Sequence, residues 1–223
     1  MADFGAIFEK PVRVYFFSGS PCMVTLLSCV IKHQHVCMTN RLLYNVMLYV
    51  VGVVYGVTQL GDIVYAVCRD SPVIKMFTAD TLSPLGEVIH VKGMRDPTDI
   101  VACHHDRQLY VGDPGGDCIW RVSVSDGRHS YVKWLTVRDV HTMSLTSRHL
   151  FVTSSWPPRV RQYDTTDGQL VREVLLPSYV KRVWHAAGTS RDTFVLCHKG
   201  TSEDEYQSAV SEVNCLDFVV DLR

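Results

Sequence analysis

Three stretches of the chain carry residue types that could hold a metal ion. Cys103-His104-His105 with Cys118, and His33 and His35 between Cys29 and Cys37, offer the sulfur and nitrogen donors that zinc prefers. Neither set has Cys-x-x-Cys spacing, so incidental histidines are the reading taken for both. Asp113-Pro-Gly-Gly-Asp117 resembles a calcium loop in its backbone oxygens, but such loops normally offer more carboxylates, and a tight turn explains it better. Phosphate-binding Gly-x-x-x-x-Gly-Lys and Gly-x-Gly-x-x-Gly loops are absent, as is the Gly-x-Ser-x-Gly nucleophile turn. Ten histidines allow Ser-His-Asp sets to be assembled anywhere, so such sets carry no weight. No catalytic residue, metal or cofactor is assigned. The chain is expected not to be an enzyme.

Binding chemistry is more promising. Trp156 precedes Pro157-Pro158, which bars ladder pairing there and favours an extended, surface-held chain. A Trp with Arg159 beside it is the composition of an interface hot spot. The competing reading folds Trp156 down as a lid between structural units, since aromatics bury readily.

The elements that would position these residues come from an internal repeat. Asp62-Ile-Val-Tyr-Ala-Val, Arg107-Gln-Leu-Tyr-Val-Gly, Arg148-His-Leu-Phe-Val-Thr and Asp192-Thr-Phe-Val-Leu-Cys align on Tyr65, Tyr110, Phe151 and Phe194, which are 45, 41 and 43 residues apart. Nine residues after the first three anchors come Ile74, Ile119 and Val160, each opening a second strand. A polar turn and a third strand follow, with Asp-Gly at 126–127 and 167–168. Another apolar run precedes each anchor: Tyr55-Gly-Val-Thr, Asp99-Ile-Val-Ala and His141-Thr-Met-Ser-Leu. In the fourth copy the later strands read Ala209 to Asn214 and Leu216 to Asp221, displaced by a polar, acidic insertion from Gly200 to Gln207.

Four short strands per repeat of about 40 residues, with no helical period, make one propeller blade. The predicted fold is all-β: a β-propeller of four-stranded antiparallel blades at about 55–92, 97–137, 140–177 and 180–222. Residues 1–50 form a degenerate N-terminal segment, read as a partial blade. A closed four-bladed ring, a five-bladed ring with a poor first blade, an open arc and a truncated chain all satisfy the repeats. The arc or truncated form is the reading taken, and its exposed blade faces would invite self-association.

Composition sets outer bounds. With 22 basic against 23 acidic side chains and a net charge of −1, no long-range field draws the chain to nucleic acid or an anionic membrane. Asp3 and Glu9 interrupt any secretory leader, and the apolar stretch from Leu42 to Val57 falls short of the ~20 residues a membrane span needs. Cys68 and Cys197 lie within apolar strand-like runs, where a reduced thiol behaves as a small hydrophobe. A cytoplasmic protein with no membrane contact is expected.

At Asp96-Pro-Thr-Asp-Ile-Val-Ala, Gln108-Leu-Tyr-Val-Gly-Asp and Cys118-Ile-Trp-Arg-Val the second repeat resembles the NHL-repeat family of β-propellers. Pro97, Ile100, Leu109, Tyr110, Val111, Asp113 and Ile119 carry the likeness, and the turn from Asp164 to Gly168 is similar to that of YVTN-type propellers. It covers residues 56 to about 220 and is sharpest in the second repeat; at the acidic position the third has Ser154 and the fourth His198. The resemblance implies a protein-binding module, with RNA binding in some members. Some propellers are metal-dependent lactonases, but their sites need acidic and Asn ligands repeated around the axis.

In such a fold the second-to-third-strand loops and the inter-blade loops emerge on one face, where loops on a rigid scaffold bind partners. The predicted contact residues are Trp156, Arg159, Arg95, Asp113, Asp117, Tyr179, Lys181, Arg182 and Tyr206. Basic and acidic side chains interleave on this face, and solvated charge is the reading taken for them. The function expected is a non-catalytic scaffold for an unidentified protein partner. The alternatives are a lactonase-like metal hydrolase and single-stranded RNA binding by Trp156, Tyr179 and nearby basic residues.

Overall fold

The structure, a computed structural model, describes residues 13–14, 27–28, 54–125, 128–177, 180, 182–188, 193–199 and 208–214. Two short strands, β1 (Arg13–Val14) and β2 (Leu27–Ser28), pair antiparallel. The rest of the N-terminal segment and the strand expected at Leu216 to Asp221 lie outside the described residues.

From residue 54 onward the expected strands appear in order. Blade 1 holds β3 (Val54–Leu60), β4 (Ile63–Cys68), β5 (Val73–Thr78) and β6 (Pro84–His90). Blade 2 holds β7 (Asp99–Cys103), β8 (Gln108–Asp113), β9 (Cys118–Ser125) and β10 (Arg128–Thr136). Blade 3 holds β11 (Thr142–Leu145), β12 (His149–Ser155), β13 (Pro158–Asp164) and β14 (Leu170–Leu175). Blade 4 shows β15 (Arg182–Gly188), β16 (Thr193–Lys199) and β17 (Ser208–Asn214). Each is an antiparallel meander in which every strand pairs with its neighbour in sequence.

Turn chemistry sets the hairpins. Gly61, at φ +61°, occupies the two-residue turn between β3 and β4, a conformation that favours glycine. Between β13 and β14, Asp164 accepts at Oδ1 from Thr166 N (2.8 Å), while Gly168, at φ +77°, donates to the Asp164 carbonyl (2.9 Å).

Blades pack face to face, with their first strands β3, β7, β11 and β15 adjacent in succession. Tyr65, Val67 and Ile74 meet Ile100, Leu109 and Val111 between blades 1 and 2. Tyr110 and Ile119 meet Met143, Leu150 and Val152 between blades 2 and 3. Phe151, Val160 and Val174 meet Val183, Ala186, Phe194 and Leu196 between blades 3 and 4. Val64, Ala66 and Phe77, on the face of blade 1 turned away from blade 2, are buried as well. Each large side chain so buried contributes about 1.5–3 kcal/mol. Exposure rises outward: β4 and β8 are buried on both faces, whereas most residues of β6 and β10 are exposed or half-buried.

One anchor is corrected. Tyr65, Tyr110 and Phe151 each point toward the following blade, but Phe194 points back toward blade 3 and packs in one cluster with Phe151. Leu196 shares that face, so Val195, between them in β16, is the true equivalent of Tyr110.

Glycine permits the close approach at all three interfaces. A Cβ on Gly56 would lie 2.7 Å from Ile100 N and 2.9 Å from Asp99 Cα. One on Gly112 would meet Val140 Cγ1 at 2.7 Å, and one on Gly188 would meet Phe151 Cε2 at 2.9 Å. At Gly56 the obstacle is backbone, which has no rotamer to yield. Gly56→Ala is expected to destabilise the chain by about 1–3 kcal/mol, as overpacking does. Urea denaturation checks it; an unchanged midpoint would mean that the first two blades do not share this contact.

Candidate interaction face

The β4–β5, β8–β9 and β12–β13 loops emerge at the same end of the blades as the inter-blade linkers, and the two sets are bonded together. Val91 N donates to the Pro72 carbonyl (2.8 Å), Val137 N to that of Asp117 (3.0 Å), and Leu176 N to that of Pro158 (3.0 Å). Arg69 of the β4–β5 loop reaches Asp70 (3.7 Å) and Asp96 of the following linker (3.8 Å). The face predicted from the repeat pattern is therefore one continuous surface.

Two aspartates organise it. Asp113, at the end of β8, is fully buried and accepts four N–H bonds. Arg95 N (3.1 Å) and Trp120 Nε1 (2.9 Å) donate to Oδ2; Asp96 N (2.8 Å) and Gly116 N (3.2 Å) donate to Oδ1. In blade 3 the matching strand end carries Ser154, and the carboxylate comes from the linker instead. Asp139, at φ +58°, accepts from Ser155 N (3.0 Å) and Trp156 N (2.9 Å) on one oxygen. The same junction is closed with acceptor and donors exchanged.

This placement corrects Asp113 as a partner contact: its oxygens are spent inside the protein. It also explains why Asp113-Pro-Gly-Gly-Asp117 is a turn, since a cation there would displace N–H donors that have no other acceptor. Pro114–Gly116 form a short 3-10 turn closed by Asp117, which is exposed at φ +50°.

Trp156 is 77% exposed, on a cis Trp156–Pro157 peptide; it is not a lid. Arg159, expected beside it, is mostly buried at 21% and bonds Glu173 Oε1 at 3.0 Å. Arg161 bonds the other oxygen of Glu173 at 2.6 Å. Burial pushes the Glu173 carboxyl up, but Arg161 and Arg159 together hold it below its ordinary range. Arg159 thus belongs to an internal ion cluster beneath the loop, not to its rim. Arg95 and Arg182 are exposed on the face; Tyr179, Lys181 and Tyr206 lie outside the described residues. Arg138, one residue before Asp139, is exposed; sequence reasoning missed it, because nothing local marks it until Asp139 is seen to hold the Trp156 loop.

The set of Cys103, His104, His105 and Cys118 does not assemble. Cys103 pairs with one end of β8 at Gln108 and Cys118 with the other at Asp113, a separation of about 17 Å along a strand. Cys103 Sγ donates to Asp106 (3.5 Å), which bonds exposed His105 (2.8 Å); burial first, then that carboxylate, pushes the thiol pKa up, the wrong direction for a nucleophile. Cys29, His33, His35 and Cys37 lie outside the described residues. Among the described residues no three His, Cys, Asp or Glu side chains are grouped to hold a metal ion, and no helix is long and apolar enough to cross a membrane. Cys68, Cys103 and Cys118 are free and buried.

Comparison with known proteins decides the fold. Structural resemblance extends to Kuenenia stuttgartiensis hydrazine synthase, with a TM-score of 0.59 at 14% identity over 86% of this chain. It extends also to a chain of a nidogen/laminin complex, at 0.54 and 14% over 74% of this chain, and to the computationally designed Ika4 protein, at 0.52 and 13% over 73%. The first and second of these have propeller-like folds. This chain is a β-propeller. It spans 52% of the hydrazine synthase chain, 62% of the nidogen/laminin chain and 91% of the designed one. No family model matches the sequence, and no curated protein matches it.

Where the innermost strands leave the face, Asp99 bridges two blades: Oδ1 accepts from its neighbour Ile100 N (2.8 Å) and Oδ2 from Met143 N of β11 (2.6 Å). Burial pushes its carboxyl up to about 7, against the pull of those bonds. His185 is driven the other way, down to about 4, by burial and then by the charge of His141.

Two outcomes follow. Asp113→Ala leaves four N–H groups without their acceptor and is expected to cost about 3 kcal/mol or more, read by urea denaturation; a loss under about 1 kcal/mol would refute the staple. The second concerns pH. Raised in the folded state, Asp99 binds its proton more tightly there, so its contribution to stability falls as pH rises from about 3.8 through about 7. Depressed, His185 contributes stability above 6.5 that is lost as pH falls toward 4, so the two slopes oppose between 4 and 6.5. Asp99→Asn removes one of them: the melting temperature of the variant relative to the parent should climb between pH 5 and about pH 7 and level off above it. A constant difference would show that Asp99 does not titrate in this range.

Proposed function

We propose that this propeller is a non-catalytic protein-interaction scaffold of the NHL-repeat type, acting in the cytoplasm and binding a protein partner through the face centred on Trp156. The observation that carries this reading is Trp156 itself. An indole left 77% in water forgoes most of the burial that its area would earn within the fold. Its backbone is nonetheless held by Asp139, through bonds to Ser155 N and Trp156 N. A large aromatic presented on a braced loop loses little freedom on contact, which is the usual make-up of an interface anchor.

Further support comes from the repeat pattern of residues 96–122 and from a propeller-like neighbour whose structure is that of a nidogen/laminin complex. Among the described residues, the other large apolar side chains with high exposure lie on the outer strands β6, β10 and β14.

Affinity capture on immobilised parent and Trp156→Ala chains, quantified by mass spectrometry, tests this. At least one protein retained by the parent should fall about tenfold or more on the variant, the loss expected of a hot-spot residue. Thermal stability should stay within about 0.5 kcal/mol, as for a surface change. Equal capture by both chains would sink the reading; a large drop in melting temperature would show Trp156 to be structural.

A further inference from the structure

We infer that the partner segment recognised at Trp156 is an acidic, extended peptide whose carboxylates meet Arg138 while an apolar side chain lies on the indole. This deepens the scaffold reading and rests on it.

The argument is one of charge placement. Across the blade 1 and blade 2 part of the face, Arg69 reaches both Asp70 and Asp96, and Lys133 Nζ donates to the Gly116 carbonyl at 2.9 Å, while Lys92 and Arg95 are exposed without a side-chain partner among the described residues. Near Trp156 a strongly exposed aromatic joins the cations. Arg138, Arg159 and Arg161 stand against Asp139 and Glu173, an excess of one positive charge by formal count. Glu173 is clamped between Arg159 and Arg161 and faces inward with them. Asp139 spends one oxygen on the Ser155 and Trp156 amides. Arg138 has neither hydrogen bond nor ion pair among the described residues and is exposed one residue from the carboxylate that positions Trp156. A guanidinium of this kind accepts a carboxylate in two-point geometry, and an ion pair formed as the indole is covered is screened less than one in open water.

An oligonucleotide would also answer a cation and an aromatic. Base stacking draws on successive aromatics, whereas Trp156 is alone as a strongly exposed aromatic among the described residues of this face. The net charge of −1 gives no field to hold a phosphate chain.

The probe is a phage-displayed library of random twelve-residue peptides, selected on the full chain. Enriched peptides are then synthesised and titrated by fluorescence anisotropy against the parent, Trp156→Ala, Arg138→Glu and Arg138→Lys, with a single-stranded oligouridine of similar length in parallel. Enriched sequences should carry Asp or Glu around a Leu, Ile or aromatic residue. Their binding should weaken tenfold or more in both Trp156→Ala and Arg138→Glu, weaken less in Arg138→Lys, and fall with added salt. Circular dichroism should confirm that each variant keeps the parent fold. Peptides lost in Trp156→Ala but free of acidic bias and indifferent to Arg138→Glu would overturn the acidic partner while leaving the scaffold standing. Peptides indifferent to both, or no enrichment at all, would overturn both. Oligouridine binding lost in Trp156→Ala, without acidic peptides, would replace a protein partner with RNA.

Discussion

A four-stranded sheet with apolar side chains on both faces cannot be stable alone in water, and everything in this molecule follows from how that problem is met. β4 and β8 bury nearly every side chain they carry; β8 does so because blades 1 and 3 lie on its two faces, and blade 2 covers one face of β4. Close approach of the innermost strands sets the spacing, and the absent side chains of Gly56, Gly112 and Gly188 set how close that is. Burial is therefore a property of pairs of blades. The loops at their ends are fixed in position as a consequence.

Stacking twisted sheets leaves an accounting problem at the ends of the strands, where ladder partners run out and linkers must turn. Free N–H groups there need acceptors, because water is partly excluded by the next blade. The chain meets this need twice with one carboxylate, but from opposite sides of the junction: Asp113 from the strand end, Asp139 from the linker. The chemistry is conserved within the molecule although the position is not. Acidic side chains on this face are thus of two kinds, those that close the fold, such as Asp113, and those left in solvent, such as Asp117.

Fold and face were legible in the residues because blade architecture writes itself as spacing. Tyr65, Tyr110 and Phe151 recur where one strand must present an aromatic to the next sheet, and the turns between them use Gly and Asp for reasons local to each turn. Phe194 misled for an equally physical reason. In Thr193-Phe-Val-Leu every residue from 194 to 196 is apolar, so alternation cannot say which side faces which blade, and a slip of one residue reverses the assignment. The candidate contacts were only partly legible. The Trp-Pro-Pro run pointed to a surface-held chain, since its cause is local, but left open whether the indole folds down as a lid. Asp113 and Arg159 look like loop charges in sequence, and only the three-dimensional arrangement shows their partners, Arg95, Asp96 and Trp120 for one and Glu173 for the other.

The contrast between Trp120 and Trp156 shows what distinguishes a structural aromatic from a presented one. Both stand at the loop end of a blade, and both are tied to an aspartate there. Trp120 uses its side chain for that bond, giving its indole N–H to Asp113 and packing its rings in the core between blades 1 and 2. Trp156 uses only its main chain, giving its amide to Asp139 and leaving the indole largely in solvent. A bond through the backbone fixes where a side chain begins without consuming what it can bind. On a rigid face, that combination costs little conformational freedom when a partner arrives and leaves the full apolar area of the ring available to be buried by it.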